Sequence, residues 1–380
     1  MSLKISSMKD LFILLVLLVF ISHIFVIDIN GQRRDPLDIR MDFESYDPPS
    51  TLVVPEHPRY KAKFPFIDVH SHHWRMAEGD LSNLAYEMDT LNMRVIVNLS
   101  GRNTEILTKM IENIHDQGLD SRMVVFTNIN IQTILEDDWV ENTLKQLEYE
   151  VQKGSRGLKI YKSQGMSNKD SEGNRIPINH PKLDPVWEKC GELGIPVLIH
   201  SADPKPFWMP LDSTNERWLE LKLRPGRKRE ANDPVPWETI IAEQHDIFKK
   251  HPNTTFINAH FGWFANDLAK LGSLLEEMPN MYIELGAVIA ELGRQPRNAK
   301  KFFEKYQDRI LFGKDSYNPA EYATYFRVLE TDDEYFPYYK KYHAFWKMYG
   351  LDLPDEVLKK VYYKNALKII PGLDASMFPE

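Results

Sequence analysis

The stretch Phe64-Pro65-Phe66-Ile67-Asp68-Val69-His70-Ser71-His72 joins a short apolar run to two histidines. Its aromatic and β-branched residues favour a β-strand. Because side chains alternate between the two faces of a strand, His70 and His72 project to the same side. The chain therefore presents two imidazoles together at the carboxyl end of a predicted strand.

Seven further runs of this type follow, and helical segments with one apolar face separate them. Strands that alternate with helices are typical of a parallel sheet, and eight such units close a barrel. The predicted strands cover residues 64–70, 93–99, 122–129, 157–161, 196–200, 255–260, 281–285 and 309–312. The predicted helices include residues 103–116, 138–151, 183–193, 237–250, 266–277 and 298–306.

The spacing of the strands also fits a barrel. From His70 to Asp315 the chain advances 245 residues over seven steps, or 35 residues per step. A barrel of about 250 residues needs about 31 residues per unit, so the excess over this length leaves room for one insertion. We place that insertion after the fifth strand, at residues 202–236. The predicted fold is an α/β, (β/α)8 TIM barrel with this insertion and extra C-terminal helices.

Two segments supply those C-terminal helices. Tyr338, Tyr342, Phe345 and Tyr349 recur at helical spacing within residues 334–350. This aromatic stripe is typical of packing, against the barrel or a second subunit in a homodimer. Residues 354–370 are predicted to form a closing helix.

The composition excludes several classes of protein. The chain has 47 Lys+Arg against 55 Asp+Glu, a net charge of −8, so we expect no nucleic-acid partner. Hydrophobic residues make up 43% of the chain, which is enough for a folded core. The single cysteine, Cys190, excludes an intrachain disulfide and a cysteine-based zinc cluster.

The beginning of the chain differs from the rest. Lys4 and Lys9 precede an apolar run of 17 residues, 11–27, just below the length of about 18 that spans a membrane comfortably. We assign residues 1–30 to a signal peptide, or alternatively to an N-terminal membrane anchor, which would be the only contact with a membrane. The protein is then exported (periplasmic or secreted) or membrane-anchored. Residues 31–63 are predicted to form an extended lead-in, and residues 64–380 the barrel domain.

Three other strands also end in residues that bind metals. His200 ends the fifth strand, His260 ends the sixth, and Asp315 follows the eighth. A barrel brings these strand ends and the His70–His72 pair together at one face. Imidazole and carboxylate ligands suit zinc or a similar divalent ion. A single histidine at a strand end is usually structural, but five such residues at four strand ends predict a metal site.

At these residues the sequence resembles the amidohydrolase superfamily, and more closely its amidohydrolase-related branch of lactonases, other hydrolases and zinc-dependent decarboxylases. The resemblance covers residues 66–370. It implies that His70, His72, His200 and Asp315 hold one metal, and that His260 lies beside it and assists catalysis. The branch often has Phe-Gly-Ser/Thr-Asp after the eighth strand, whereas this chain has Phe312-Gly313-Lys314-Asp315.

These groups predict a metal-dependent hydrolase. A metal-activated water would attack a carbonyl, Asp315 would take its proton, and His260 would polarise the carbonyl. Lactones, esters and amides all remain open as substrates. The alternative is a nonoxidative decarboxylase that uses the same site, and a non-catalytic metal-binding scaffold is the third interpretation.

Three further residues are predicted to contact the substrate: Arg75, Lys159 and Trp208. Cations and an aromatic face suit a small anionic molecule that is cyclic or derived from a sugar. In binuclear members of the superfamily a fourth-strand lysine is carboxylated and bridges two metals, which gives Lys159 a second interpretation. We favour one metal, zinc, with Lys159 as a cation on the substrate side.

Overall fold

Eight parallel strands form the centre of the computed structural model, which describes residues 41–379. Each strand pairs with the next along the chain, in the order expected for a barrel. The strands are β1 (Phe66–Ser71), β2 (Met93–Asn98), β3 (Met123–Val125 and Thr127–Asn128), β4 (Leu158–Ile160), β5 (Val197–Ile199), β6 (Phe256–Asn258), β7 (Met281–Glu284) and β8 (Ile310–Leu311).

The ring closes between β1 and β8. The backbone N–H of Val69 donates to the carbonyl oxygen of Phe312 at 3.0 Å, and that of Asp315 donates to His70 at 2.6 Å. Strand β3 divides at Phe126, so that its first part pairs with β2 and its second part with β4. Closure of the ring confirms the predicted (β/α)8 barrel.

Eight helices follow the strands, and their apolar faces are buried. In the fifth helix, for example, Ile240, Ile247 and Phe248 are buried, a spacing that places them on one face. Burying each such side chain stabilises the fold by about 1.5–3 kcal/mol. The helices are α1 (Ser82–Leu91), α2 (Thr104–Asp116), α3 (Trp139–Lys153), α4 (Asp184–Glu192), α5 (Trp237–Lys250), α6 (Leu268–Glu277), α7 (Pro296–Tyr306) and α8 (Pro319–Glu330).

The predicted insertion after the fifth strand is present. It contains the short helix Trp218–Leu223 and the 3₁₀ turns Lys205–Phe207 and Pro225–Arg227. Its side chains Phe207, Trp208 and Leu221 form a second apolar cluster with residues of α5. The insertion is therefore an ordered part of the barrel mouth.

Residues 334–350 do not form the helix that the aromatic spacing predicts. They form a hairpin in which β9 (Phe336–Pro337) pairs antiparallel with β10 (Lys347–Met348). Ala344 and Phe345 have φ angles of 56° and 55°, in the left-handed region that an α-helix excludes. The aromatic residues pack within a hairpin, so the prediction of a helix over residues 334–350 is wrong. The closing helix is present as Asp355–Lys359, a π-helical turn at Lys360–Lys364, and Asn365–Ile369.

The N-terminal assignments are only partly covered. The predicted signal peptide or anchor, residues 1–30, lies outside the described residues. Residues 41–49 belong to a separate unit that contains the 3₁₀ turn Phe43–Ser45. Residues 50–63 contain no helix or strand, and the first ten residues of the predicted lead-in, 31–40, lie outside the described part of the chain. Across residues 41–379, no helix has both the length and the apolar character required to cross a bilayer.

Candidate metal centre and cavity

The His70 imidazole is buried at the end of β1 and held in one orientation. Its Nδ1 donates to Glu284 Oε1 at 2.8 Å, which leaves a lone pair on Nε2. That Nε2 is buried and has no hydrogen-bond partner among the described residues. Burial lowers the pKa of His70 well below its ordinary value, and the Lys159 ammonium lowers this pKa further. His70 is therefore a neutral ring with a free ligand atom.

His72 and Asp315 meet His70 at this point. Both His70 Nε2 and His72 Nε2 lie 3.5 Å from Asp315 Oδ1. The ring of His72 is oriented by Ser100, whose Oγ accepts from Nδ1 at 2.7 Å. Burial lowers the pKa of His72 to about 4, so its Nε2 also carries a lone pair. These three residues offer ligand atoms within 4.8 Å of one another, and the donor set fits a divalent metal.

The expected fourth ligand, His200, lies next to His260 and outside that group of three. His200 Nδ1 lies 3.3 Å from His260 Nε2, and His260 Nδ1 donates to the carbonyl oxygen of Gly286 at 2.7 Å. Since the carbonyl only accepts, a neutral His260 has its lone pair on Nε2 and accepts from His200. His200 Nε2 is buried without a partner in the described part of the chain. It therefore remains a candidate ligand atom.

Glu284 connects the histidines of two strands, and the sequence did not predict this. Its Oε1 accepts from His70 Nδ1 and from the backbone N–H of His260 at 2.7 Å, and its Oε2 accepts from that of Gly286 at 2.6 Å. His70, His260 and Glu284 also lie within 4.8 Å of one another. Because three N–H groups already occupy the Glu284 oxygens, this second group is a hydrogen-bond network. Glu284 is a positioning residue.

Asp68 holds the two strand ends that carry His70 and Asp315. Its Oδ1 accepts from the backbone N–H groups of His70 at 3.0 Å and Lys314 at 3.2 Å. Tyr322 donates its hydroxyl to Oδ2 at 2.5 Å. Burial raises the pKa of Asp68 to about 7. This second buried acid was also missed, since it looks like an ordinary residue of an alternating strand.

Lys159 lies at the centre of β4 and is fully buried. Its Nζ has no hydrogen-bond partner among residues 41–379. Burial lowers the pKa of Lys159 to about 8, although the charges of Asp315 and Glu284 act to raise it. The structure thus brings Lys159 into the electrostatic environment of the candidate metal centre.

The backbone of this region is unusual. His260 and Asp315 have φ angles of 58° and 80°, and Phe261 and Trp263 continue with 53° and 62°. Such left-handed conformations cost about 1–2 kcal/mol for residues with a Cβ atom. They occur preferentially at functional sites, where the surrounding structure enforces them.

A cavity of about 170 Å³ opens above these strand ends. His200, His260 and Asp315 line one part of it, and residues of the insertion, the hairpin and other loops at the strand ends line the remainder. Its lining includes four cationic side chains, Lys162, Arg217, Arg227 and Lys340, and three carboxylates, Asp203, Glu220 and Asp315. A larger groove of about 620 Å³ is lined by residues from the segments 295–300, 332–334 and 349–351, and none of the strand-end histidines lines it.

None of the three predicted substrate contacts lines this cavity. Lys159 is buried in β4 and is not part of the lining. Trp208 is buried in the apolar cluster of the insertion and donates its Nε1–H to Val235 at 3.1 Å, whereas Phe207 lines the cavity. Arg75 is exposed and is not part of the lining. The ammonium of Lys314 pairs with Glu321 at 2.6 Å, away from the cavity.

Gly313→Ala tests the close packing of the site. An added Cβ would lie 2.2 Å from Glu284 Oε2 and 3.0 Å from the Cβ of His70. We expect a loss of about 1–3 kcal/mol in the free energy of unfolding, together with weaker metal binding. Urea titration and metal competition measure the two effects. Gly226→Ala is the control, because its added Cβ would contact nothing within 4 Å. Equal stability of the two variants would contradict this geometry.

Comparisons with known proteins agree with the architecture. The sequence profile of the family described as Amidohydrolase matches residues 67–371. No curated protein matches the chain.

Several solved structures are similar to this chain at low sequence identity. A dihydroxybenzoic acid decarboxylase from Polaromonas sp. JS666, with bound manganese and the inhibitor 2-nitroresorcinol, is 12% identical, with 80% of this chain and 96% of that chain covered and a TM-score of 0.50. A 4-oxalomesaconate hydratase from Rhodopseudomonas palustris is 13% identical, with 80% and 95% covered and a TM-score of 0.45. An amidohydrolase from Burkholderia multivorans with bound zinc is 11% identical, with 80% and 99% covered and a TM-score of 0.44.

Proposed function

This chain belongs to the amidohydrolase family, and on that basis we propose that it is a metal-dependent hydrolase of small carbonyl compounds. Membership of the family makes the chain an enzyme, of hydrolase or carboxy-lyase type. The observation that carries the proposal is the group formed by His70, His72 and Asp315, whose ligand atoms lie within 4.8 Å of one another. The free, buried Nε2 of His70 supports a ligand role, since a buried polar atom without a partner is costly.

We propose one divalent ion, zinc, held by His70, His72 and Asp315 with His200 as a fourth ligand. Two imidazoles and a carboxylate are donors that zinc accepts readily. The related structures with bound zinc and bound manganese make both metals candidates. A second ion would require carboxylation of Lys159. Metal analysis of the purified protein distinguishes one bound ion from two. One equivalent per chain supports this proposal, and two equivalents would contradict it.

The residues around this centre can divide the chemistry of hydrolysis between them. When bound, the metal supplies positive charge that acidifies a water and polarises a substrate oxygen. Asp315 is placed to accept the proton of the attacking water and to return it to the leaving group. Burial acts to raise the pKa of Asp315, but the net shift is downward, and the positive charge of Lys159 is among the influences that lower it. His260 holds a proton on Nδ1 and can accept another on Nε2, and its protonated form would donate to a developing oxyanion.

The cavity supports a small anionic substrate. Its volume of about 170 Å³ is below the 300–1,000 Å³ of pockets for drug-sized ligands. Positive side chains outnumber carboxylates in its lining, and Asp315 is taken up by the proposed metal set. A lactone, ester or amide that also carries negative charge fits these features.

The alternative function is nonoxidative decarboxylation at the same centre. The cations of the cavity favour a substrate carboxylate and so leave this reaction open. A panel of lactones, esters, amides and hydroxylated carboxylates, tested on metal-loaded protein, distinguishes the two reactions by their products. A new carboxylate that contains oxygen from labelled water supports hydrolysis. Release of carbon dioxide would contradict hydrolysis and support decarboxylation. Chelator-treated protein is the control and is expected to be inactive.

A further inference from the structure

Lys340 brings a positive charge to the cavity from the hairpin. It lies between β9 and β10, and its side chain lines the cavity together with His260 and Asp315. No sequence pattern singles it out, because it follows two tyrosines in the aromatic stripe. Its placement depends on the hairpin that replaces the predicted helix.

The other cations of the lining already have carboxylate partners. Lys162 Nζ donates to Asp203 Oδ1 at 2.7 Å, and the Asp203 carboxylate also binds Arg229 at 3.0 Å. Arg217 and Arg227 both bind Glu220, at 2.8 and 2.5 Å. Each of these cations is therefore already in contact with a carboxylate of the cavity wall.

Lys340 differs from these residues. Among the described residues no carboxylate lies within 4.0 Å of its Nζ. Burial lowers the pKa of Lys340, and the neighbouring Lys314 lowers it further, while Glu321, Asp315 and Glu220 act in the opposite direction. An ammonium that is partly removed from water without a counterion is unfavourable, and an anion from a ligand would relieve that cost.

We propose that Lys340 recognises a carboxylate of the substrate, separate from the group that reacts at the metal centre. The substrate class is then small carbonyl compounds that carry at least one additional carboxylate. The cavity volume of about 170 Å³ corresponds to roughly six water molecules, so the two groups are separated by a short carbon chain or a small ring. This inference rests on the proposed function, because it assumes that the reacting group is held at the metal centre.

The test uses linear dicarboxylates, from malonate to adipate, as probes that reach from the metal centre to Lys340. Each is compared with the monocarboxylate of the same chain length, from propionate to hexanoate, by calorimetric titration of the metal-loaded full chain. We expect at least one dicarboxylate to bind about tenfold to a hundredfold more tightly than its monocarboxylate, the range for a hydrogen bond to a charged group. In Lys340→Gln this preference is expected to fall to about twofold or less, with monocarboxylate affinity unchanged as evidence of an intact site.

Lys341→Gln is the matched control, since Lys341 is exposed and does not line the cavity. It is expected to keep the preference of the original protein. The role of Lys340 would be overturned if the preference for a dicarboxylate persisted in Lys340→Gln. It would also be overturned if the original chain bound monocarboxylates equally well. Neither result would contradict the proposed metal centre. If neither series binds to the metal-loaded chain, this inference fails. If the chain also retains no metal after loading, the proposed function fails with it.

Discussion

Asp315→Asn is expected to reduce kcat/KM by about a thousandfold or more and to weaken metal binding. Asparagine keeps the shape of the side chain and one acceptor oxygen, but it has no charge for a metal and cannot take a proton from water. His70 Nε2 and His72 Nε2 both face this carboxylate at 3.5 Å, so the loss of charge affects the whole group of three. Kinetics on the substrate found in the panel, together with metal content, measure the effect.

Asp308→Asn controls for an equivalent change elsewhere. The Asp308 side chain is 66% exposed and does not line the cavity. Its activity and metal content are expected to match those of the original protein. Turnover of Asp315→Asn within about twofold of the original, with equal metal content, would refute the catalytic assignment and favour a non-catalytic metal-binding role.

Glu284→Gln is expected to weaken metal binding by about 10- to 100-fold and to destabilise the fold by about 1–3 kcal/mol. The carboxylate accepts from three N–H groups, on His70, His260 and Gly286. Glutamine offers one oxygen, and its NH₂ group would face an N–H donor. The ring of His70 would then lose the partner that fixes its tautomer.

Urea titration and competition with a metal chelator measure the two effects. Glu277→Gln is the control, because the Glu277 side chain is 53% exposed and pairs only across the surface with Lys249. The positioning role would be refuted if Glu284→Gln had the metal affinity of this control.

The strands and the group at their ends were predictable because their signals are local. Each strand is a short buried run, and a barrel brings the ends of all its strands to one face. His70, His72 and Asp315 therefore follow from periodicity and position. The structure confirms the barrel and places these residues together, while their roles as ligands remain predictions. The charge of Lys159, which is buried in β4, acts on the pKa values of His70 and Asp315.

The remaining features depend on contacts that the sequence does not display. Glu284 lies 214 positions from His70, and its role exists only when β1 and β7 face the same interior. Trp208 was selected because an aromatic side chain suits contact with a cyclic substrate. In the structure it packs in the small apolar cluster that the insertion forms with α5. The aromatic stripe has helical spacing, but its two ends pair as antiparallel strands. Backbone hydrogen bonds between these strands take the place of those that a helix would form. The hydrogen-bond network around Glu284 was missed in the sequence. The one available signal was an acidic residue at the end of an apolar strand.

The left-handed backbone from His260 to Trp263 has a consequence for how the sequence can change. Glycine would adopt these φ angles without strain, yet three of the four residues carry side chains. Of these, His260 and Trp263 line the cavity, while Phe261 is buried in the barrel core. Substitutions that relax this loop would make the protein more stable while displacing the groups at the mouth. The loop thus marks a point where selection for durability and selection for activity act in opposite directions.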